Sequence, residues 1–214
     1  MSFPSKRFEL ELPSNGGISL CLIGASRSGK TTMMKYLYKK HFCKYITTMF
    51  SMNSHASIYK DLDEKVIVCP EYHSELIEEA HEINSLTSNK FNFCFIVDDY
   101  VDTKIKSDPT ITRTLTLYRN AGINSMFCMQ DTTLLNPVGR NNANYIFIFK
   151  QQTAKKWEAV IKEFLSMWLP TGMTMREMVD FCVKCTADHQ FFCIDNIKGE
   201  IFVSKLSASQ IASC

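Results

Sequence analysis

The sequence predicts an α/β protein: a mostly parallel central sheet flanked by helices, with a β-hairpin near its C-terminal end. Three observations carry this prediction. Short apolar runs alternate with longer helix-compatible stretches along most of the 214 residues. The runs are apolar nearly throughout rather than at alternate positions, which is the pattern of strands covered on both faces. Close to the end, two strand-like runs flank Asn196 and Gly199, the turn chemistry of a hairpin.

The elements follow in order. Residues 1–16 form an N-terminal segment ahead of a buried strand over 18–23, which stops at Gly24. Residues 30–41 carry Met33, Met34, Tyr36, Leu37 and Tyr38 at helical spacing. Strands are predicted over 45–50 and 66–69. Residues 75–86 make an amphipathic helix, with Leu76, Ile77, Ala80 and Ile83 on one face and Glu75, Glu78, Glu79 and Glu82 opposite. The run 91–97 is the most apolar and ends at Asp98-Asp99. A polar helix around 112–119 precedes strands over 123–129 and 145–149. Helices over 153–167 and 175–185 lead to the hairpin strands 191–195 and 200–204. With no internal repeat and no linker-like run, residues 1–214 read as one domain, with 151–214 a helical and hairpin extension of it.

Composition narrows the class. At 45% hydrophobic and 21% charged residues the chain has the makings of a packed core and is no disordered or fibrous sequence. No apolar run approaches the ~18 residues of a membrane span, and residues 1–7 lack the apolar core of a signal peptide. The nine cysteines, an odd number with several inside apolar runs, suit a reducing compartment better than a disulfide framework. The expectation is a soluble, unsecreted protein. A net charge of +2 gives no argument for or against a polyanionic partner.

Chemistry enters at Gly24-Ala25-Ser26-Arg27-Ser28-Gly29-Lys30-Thr31, followed by Thr32. Glycine, four residues, Gly-Lys and a hydroxyl residue is the spacing of a phosphate-binding loop. The glycines let the backbone wrap closely round a diphosphate, N–H groups point inward, and the following helix adds the positive end of its dipole. Lys30 is placed to reach the β- and γ-phosphates and Thr31 to ligate Mg²⁺. The loop needs a carboxylate at a neighbouring strand end, and Asp98-Asp99 is the acidic pair that ends an apolar strand. Asp98 is the candidate metal-associated residue and Asp99 the base or water-orienting group. Gln130, just past the strand 123–129, is a candidate γ-phosphate sensor. Arg119, then Arg140, are candidates for an arginine supplied to a neighbouring subunit's phosphates, with Arg113 a third.

Taken together, Gly24 to Thr32, Phe95-Ile96-Val97-Asp98-Asp99, Tyr118 to Ile123, Met129-Gln130 and Val138 to Asn144 resemble the poxvirus-type genome-packaging ATPases of the FtsK–HerA superfamily. The resemblance spans residues 20–149. It implies a P-loop NTPase fold with an extra strand, here 123–129, between the phosphate-loop strand and the acidic-pair strand. It also implies ATP and Mg²⁺ at subunit interfaces of a pentameric or hexameric ring, and an arginine acting across them. Hydrolysis would translocate double-stranded DNA into a preformed capsid through a capsid or portal-vertex partner, at a viral assembly site in the host cytoplasm or in the virion. One departure is Asn120, where the family commonly has histidine after the arginine.

Other functions fit less well. A small-molecule kinase also uses one P-loop domain, but only six arginines are scattered here and no arginine-rich lid is visible. A GTPase lacks its guanine-reading motif, since Asn89-Lys90-Phe91-Asn92 has no aspartate. A scaffold that binds ATP without turnover would not need Lys30, Asp98, Asp99 and Gln130 together. Cys182, Cys185, His189 and Cys193 could form a small zinc site, but Cys182 fits a helical pattern and Cys193 an apolar strand, so packing is the preferred reading. Lys35, Lys39, Lys40 and Lys44, with Lys104 and Lys106, are weak candidates for phosphate-backbone contact.

Overall fold

A computed structural model describes residues 3–53, 59–62, 64–100 and 103–212. Among them, eight strands form one sheet in the order β3-β2-β4-β5-β1-β6-β7-β8. The strands are β1 (Ser19–Ile23), β2 (Ile46–Phe50), β3 (Ile67–Cys69), β4 (Phe93–Asp98), β5 (Ile123–Met129), β6 (Tyr145–Ile148), β7 (Phe191–Asp195) and β8 (Glu200–Ser204). The first six in spatial order pair in parallel. The β7–β8 hairpin then adds antiparallel to β6. β5 lies between β1 and β4, as the resemblance implied, so the strand ends after Ile23, Asp98 and Met129 stand side by side at one edge of the sheet.

Two apolar layers explain the near-continuous hydrophobicity of the strands. Along β1, Cys21 and Ile23 face one layer while Leu20 and Leu22 face the other, the period-two alternation of a pleated strand. The first layer packs under α2 (Ser74–Thr87), α4 (Pro109–Thr116), α6 (Ala154–Val160) and α7 (Met175–Cys185). The second packs under α1 (Lys30–Leu37) and the N-terminal segment, with Phe8 and Leu10 buried. That segment also runs beside β8: Lys6 N donates to the Val203 carbonyl and Val203 N to that of Pro4. It thereby shields an edge that would otherwise offer an unpaired ladder.

Several boundaries differ from the sequence-based expectation, each for a local reason. α4 begins at Pro109 rather than near 112, because Asp108 caps it by accepting from Thr110 N at 2.8 Å and Pro109 occupies the first turn. The same run then continues as a 3₁₀ turn, Tyr118–Ala121, ended by Gly122 at φ 72°. α1 and α6 pass into π-helical turns at Tyr38–Phe42 and Ile161–Leu165. The remaining helices are α3 (Thr103–Ser107), α5 (Pro137–Asn141) and α8 (Ala208–Ala212). None of the described helices is long and apolar enough to cross a membrane.

Candidate functional site

The loop between β1 and α1 is anchored at both of its shoulders. Gly24 N donates to the Met129 carbonyl at 3.1 Å and Ala25 N to that of Lys150 at 2.9 Å. Glycine is required at the first position by packing: a Cβ on Gly24 would lie 2.6 Å from Phe149 Cβ and 2.7 Å from Ser28 Oγ. Gly29, at φ 108°, takes a backbone conformation that other residues rarely adopt and caps α1. The first turn of α1 then presents Lys30 and Thr31.

The acidic pair meets this loop. Thr31 Oγ1 donates to Asp98 Oδ2 at 3.3 Å, and Lys30 Nζ stands 3.8 Å from Asp99 Oδ1. Lys30 is almost wholly buried and donates to the carbonyls of Gly24 and Ala25, each at 3.0 Å. Asp98, the last residue of β4, is 1% exposed. Burial pushes its carboxyl above the usual range, opposed by a hydrogen bond from Tyr59, with the neighbouring Asp99 charge pushing it up further. Asp99 leaves the strand in the left-handed region, at φ 47°. That turn separates the two carboxylates, one toward Thr31 and the other toward Lys30.

Three buried oxygens at this junction have no hydrogen-bond partner: Ser28 Oγ, Asp98 Oδ1 and Asp99 Oδ1. Buried polar atoms are normally paired, so these are acceptor and hydroxyl groups held ready beside a lysine and a helix N-terminus. Hard oxygen donors of this kind, few in number and next to a phosphate cradle, suit Mg²⁺, which keeps most of its shell from water and phosphate. A cavity of about 430 Å³ opens on the loop and is lined by Lys30, Thr31, Thr32 and Asp99.

Comparison with known proteins locates this geometry. No family model matches the chain, and no curated protein matches its sequence. Solved structures do. The DNA-packaging ATPase B204 from Sulfolobus turreted icosahedral virus aligns over 88% of this chain and 97% of its own, with 19% identity and a TM-score of 0.63. The genome packaging NTPase B204 from Sulfolobus turreted icosahedral virus 2, in complex with AMPPCP, aligns over 90% and 100%, with 21% identity and a TM-score of 0.60. A third is EssC (ATPases 2 and 3) from Geobacillus thermodenitrificans, over 89% of this chain and 39% of that one, with 10% identity and a TM-score of 0.56.

This is the P-loop NTPase fold.

Within the P-loop fold the other candidates are spread widely. Gln130 follows β5 directly, one residue beyond the carbonyl that holds Gly24, and is half-buried. Arg119 stands at the other end of β5. Seven residues at about 3.3 Å each separate the two ends, so Arg119 cannot reach the P-loop of its own chain. Its guanidinium donates to the Thr116 carbonyl at 3.4 Å. Arg113 is half-exposed and pairs with Glu78 at 3.5 Å.

Arg140 is a correction. It is 6% exposed and its guanidinium is consumed inside the chain, by the Glu163 carboxylate at 3.0–3.1 Å and by the carbonyls of Thr132 and Leu135. A side chain clamped in this way braces α5 against the Ile161–Leu165 turn and does not extend to another subunit. The zinc alternative fails on geometry as well. Cys182 belongs to the layer under α7 and Cys193 to the layer on the opposite face of the sheet, so one ion cannot bind both. Lys35 is likewise no free cation: it is 7% exposed and bonded to Asp61 at 3.1 Å. Lys40 lies over the Tyr36 ring, while Lys44 and Lys106 are exposed. The Lys104 side chain is outside the described residues.

Sequence reasoning missed Tyr59, which lies between β2 and β3, carries no motif and donates to Asp98 Oδ2 at 2.8 Å. His189, weighed in the sequence as a zinc ligand, instead lines the cavity together with Phe149 and the chain beyond β8.

Proposed function

We propose that this chain is an ATP-hydrolysing double-stranded DNA translocase that packages a viral genome into a preformed capsid. The observation that carries the reading is the juxtaposition of the two ends of the site. Lys30 and Thr31 meet Asp99 and Asp98 across one junction, where Asp98 Oδ1 and Asp99 Oδ1 are buried and accept no hydrogen bond. That arrangement is suited to a nucleoside triphosphate and has a base in place for water. Thr31 and Asp98 would hold Mg²⁺, which when bound neutralises charge on the phosphate oxygens. Lys30 would hold the β- and γ-phosphates, Ser28 and the loop N–H groups would cradle them, and Asp99 would accept a proton from the attacking water. Gln130, at the adjoining strand end, would report the γ-phosphate.

The packaging reading is supported by the fold likeness to two B204 NTPases over nearly their whole length, and by β5 standing between β1 and β4. It carries with it a homo-oligomeric ring, pentameric or hexameric, with Arg119 serving a neighbour's nucleotide, and a capsid or portal-vertex partner at the assembly site. Phosphate release measured with and without long duplex DNA tests it. A motor is stimulated by the DNA. Phosphorylation of a small acceptor with no response to DNA would instead mark a kinase.

A further inference from the structure

Three consecutive carbonyls at the end of β5 are each taken by a different part of the molecule. Cys128 O accepts from Asp99 N at 3.1 Å and Met129 O from Gly24 N at 3.1 Å, so the acidic turn and the P-loop are both fastened to this strand end. The third, Gln130 O, accepts from Lys156 Nζ at 3.4 Å. The first two bonds run from backbone to backbone. The last is made by a side chain of α6.

What Lys156 holds matters because Gln130 has little else to fix it. Among the described residues the Gln130 side-chain amide makes no hydrogen bond, so its direction follows from its backbone. The loop beyond is held in the same manner. Arg140 donates to the carbonyls of Thr132 and Leu135, and Asp131 accepts from Thr133 N at 2.9 Å. That bond first, with the Lys156 and Lys106 charges adding to it, holds the Asp131 carboxyl below its usual value.

Lys156 is itself anchored at the site. Its own N donates to Thr153 Oγ1, the cap of α6, at 3.3 Å, and α6 follows on the segment of Lys150, whose carbonyl holds Ala25. The first turn of a helix disfavours a cation, and that of α6 carries no acidic residue to offset one. The helix therefore gains nothing from this charge. Lys156 is not among the described residues that line the cavity on the P-loop.

Resting on the reading of Gln130 as the group that reports the γ-phosphate, we infer that Lys156 is a positioning residue for Gln130. Its ammonium fixes the Gln130 carbonyl and so aims the side-chain amide at the terminal phosphate and the water beside Asp99. A group that acts this way, from outside the cavity, shapes the reacting geometry and leaves ground-state binding alone. Its loss is then read in kcat and not in KM.

Phosphate release from Mg²⁺-ATP with long duplex DNA tests this on the full chain, on Lys156→Met, Lys156→Arg and Gln130→Ala, and on the Lys156→Met/Gln130→Ala double variant. Lys156 is only partly buried, so methionine can replace its stem within the same fold. Lys156→Met should lower kcat about tenfold with KM within about twofold of the parent, and Lys156→Arg should recover most of the rate. Once Gln130 is alanine, Lys156→Met should cost nothing further. Equal fold losses in both backgrounds, a raised KM, a loss as large in Lys156→Arg, or no loss of kcat overturn the assignment. If Gln130→Ala alone leaves kcat unchanged, the assignment falls while the ATPase reading stands. A parent chain that releases no phosphate sinks the nucleotide reading and this assignment with it.

Discussion

Tyr59 donates a hydrogen bond to the buried carboxylate of Asp98 at 2.8 Å, and Ser51 Oγ lies 3.1 Å from the same hydroxyl. The tyrosine has one proton and gives it to the aspartate, so Ser51 must be the donor in the second contact. Asp98 Oδ2 therefore accepts from both Thr31 and Tyr59, which fixes the carboxylate plane and leaves Oδ1 partnerless. Tyr59→Phe removes only the hydroxyl. The Mg²⁺ concentration for half-maximal phosphate release should rise about tenfold, in line with the 1.5–3 kcal/mol range for hydrogen bonds to charged groups. An unchanged Mg²⁺ dependence would reduce Tyr59 to a packing residue.

The separation of the two carboxylates makes a different demand on Asp99. Its side chain is a quarter exposed and sits 3.8 Å from Lys30 Nζ, while Asp98 is sealed at the strand end. Asp99→Asn keeps the shape and removes the basicity. Turnover should fall by about 10²–10⁴ with nucleotide affinity within a few-fold of the parent. If binding and turnover decline together, Asp99 holds the ligand instead of serving the chemistry.

The Arg140–Glu163 clamp predicts an effect on stability and its pH dependence. The Arg140 hydrogen bond holds the Glu163 carboxyl below its usual value. A depressed acid contributes stability above its unfolded value, about 4.3, and loses it as pH falls through the lower folded value. Glu163→Gln leaves the buried guanidinium without a countercharge and should cost about 2 kcal/mol at pH 7, or roughly 4–8 °C in melting temperature. The gap should narrow below pH 4. A constant gap across that window would mean that amide geometry, not charge, is what matters.

The sheet was legible in the sequence wherever strands are apolar on both sides and sharply punctuated. β5 and the hairpin strands coincide with their predicted limits, because Gly122 and the turn before Gly199 mark their ends. The start of α4 was hidden, since the capping signal Asp108-Pro109 precedes a threonine-rich run in which Ile111 and Leu115 are the apolar residues of the buried face. At the site, the P-loop and Asp98-Asp99 were legible because each is contiguous. Tyr59 was not, and His189 was weighed only as a zinc ligand, because only the folded topology brings them there. Arg140 was misread for a related reason: a sequence records that an arginine is present, but not that its donors are already taken.

Arg119 remains the arginine whose place in the fold poses a question between subunits. It lies a full strand length from its own Lys30, with only long hydrogen bonds to the Thr116 carbonyl. If it serves a neighbour's phosphates, Arg119→Ala and Lys30→Ala should each be inactive alone but complement when mixed. In a head-to-tail ring a working site needs an intact loop on one subunit and an intact arginine on the next. Random one-to-one mixing restores that combination at about a quarter of the interfaces. Phosphate release near a quarter of the parent rate would place the arginine in trans. A mixture as inactive as its components, with both variants folded and assembled, would confine Arg119 to bracing the turn before β5.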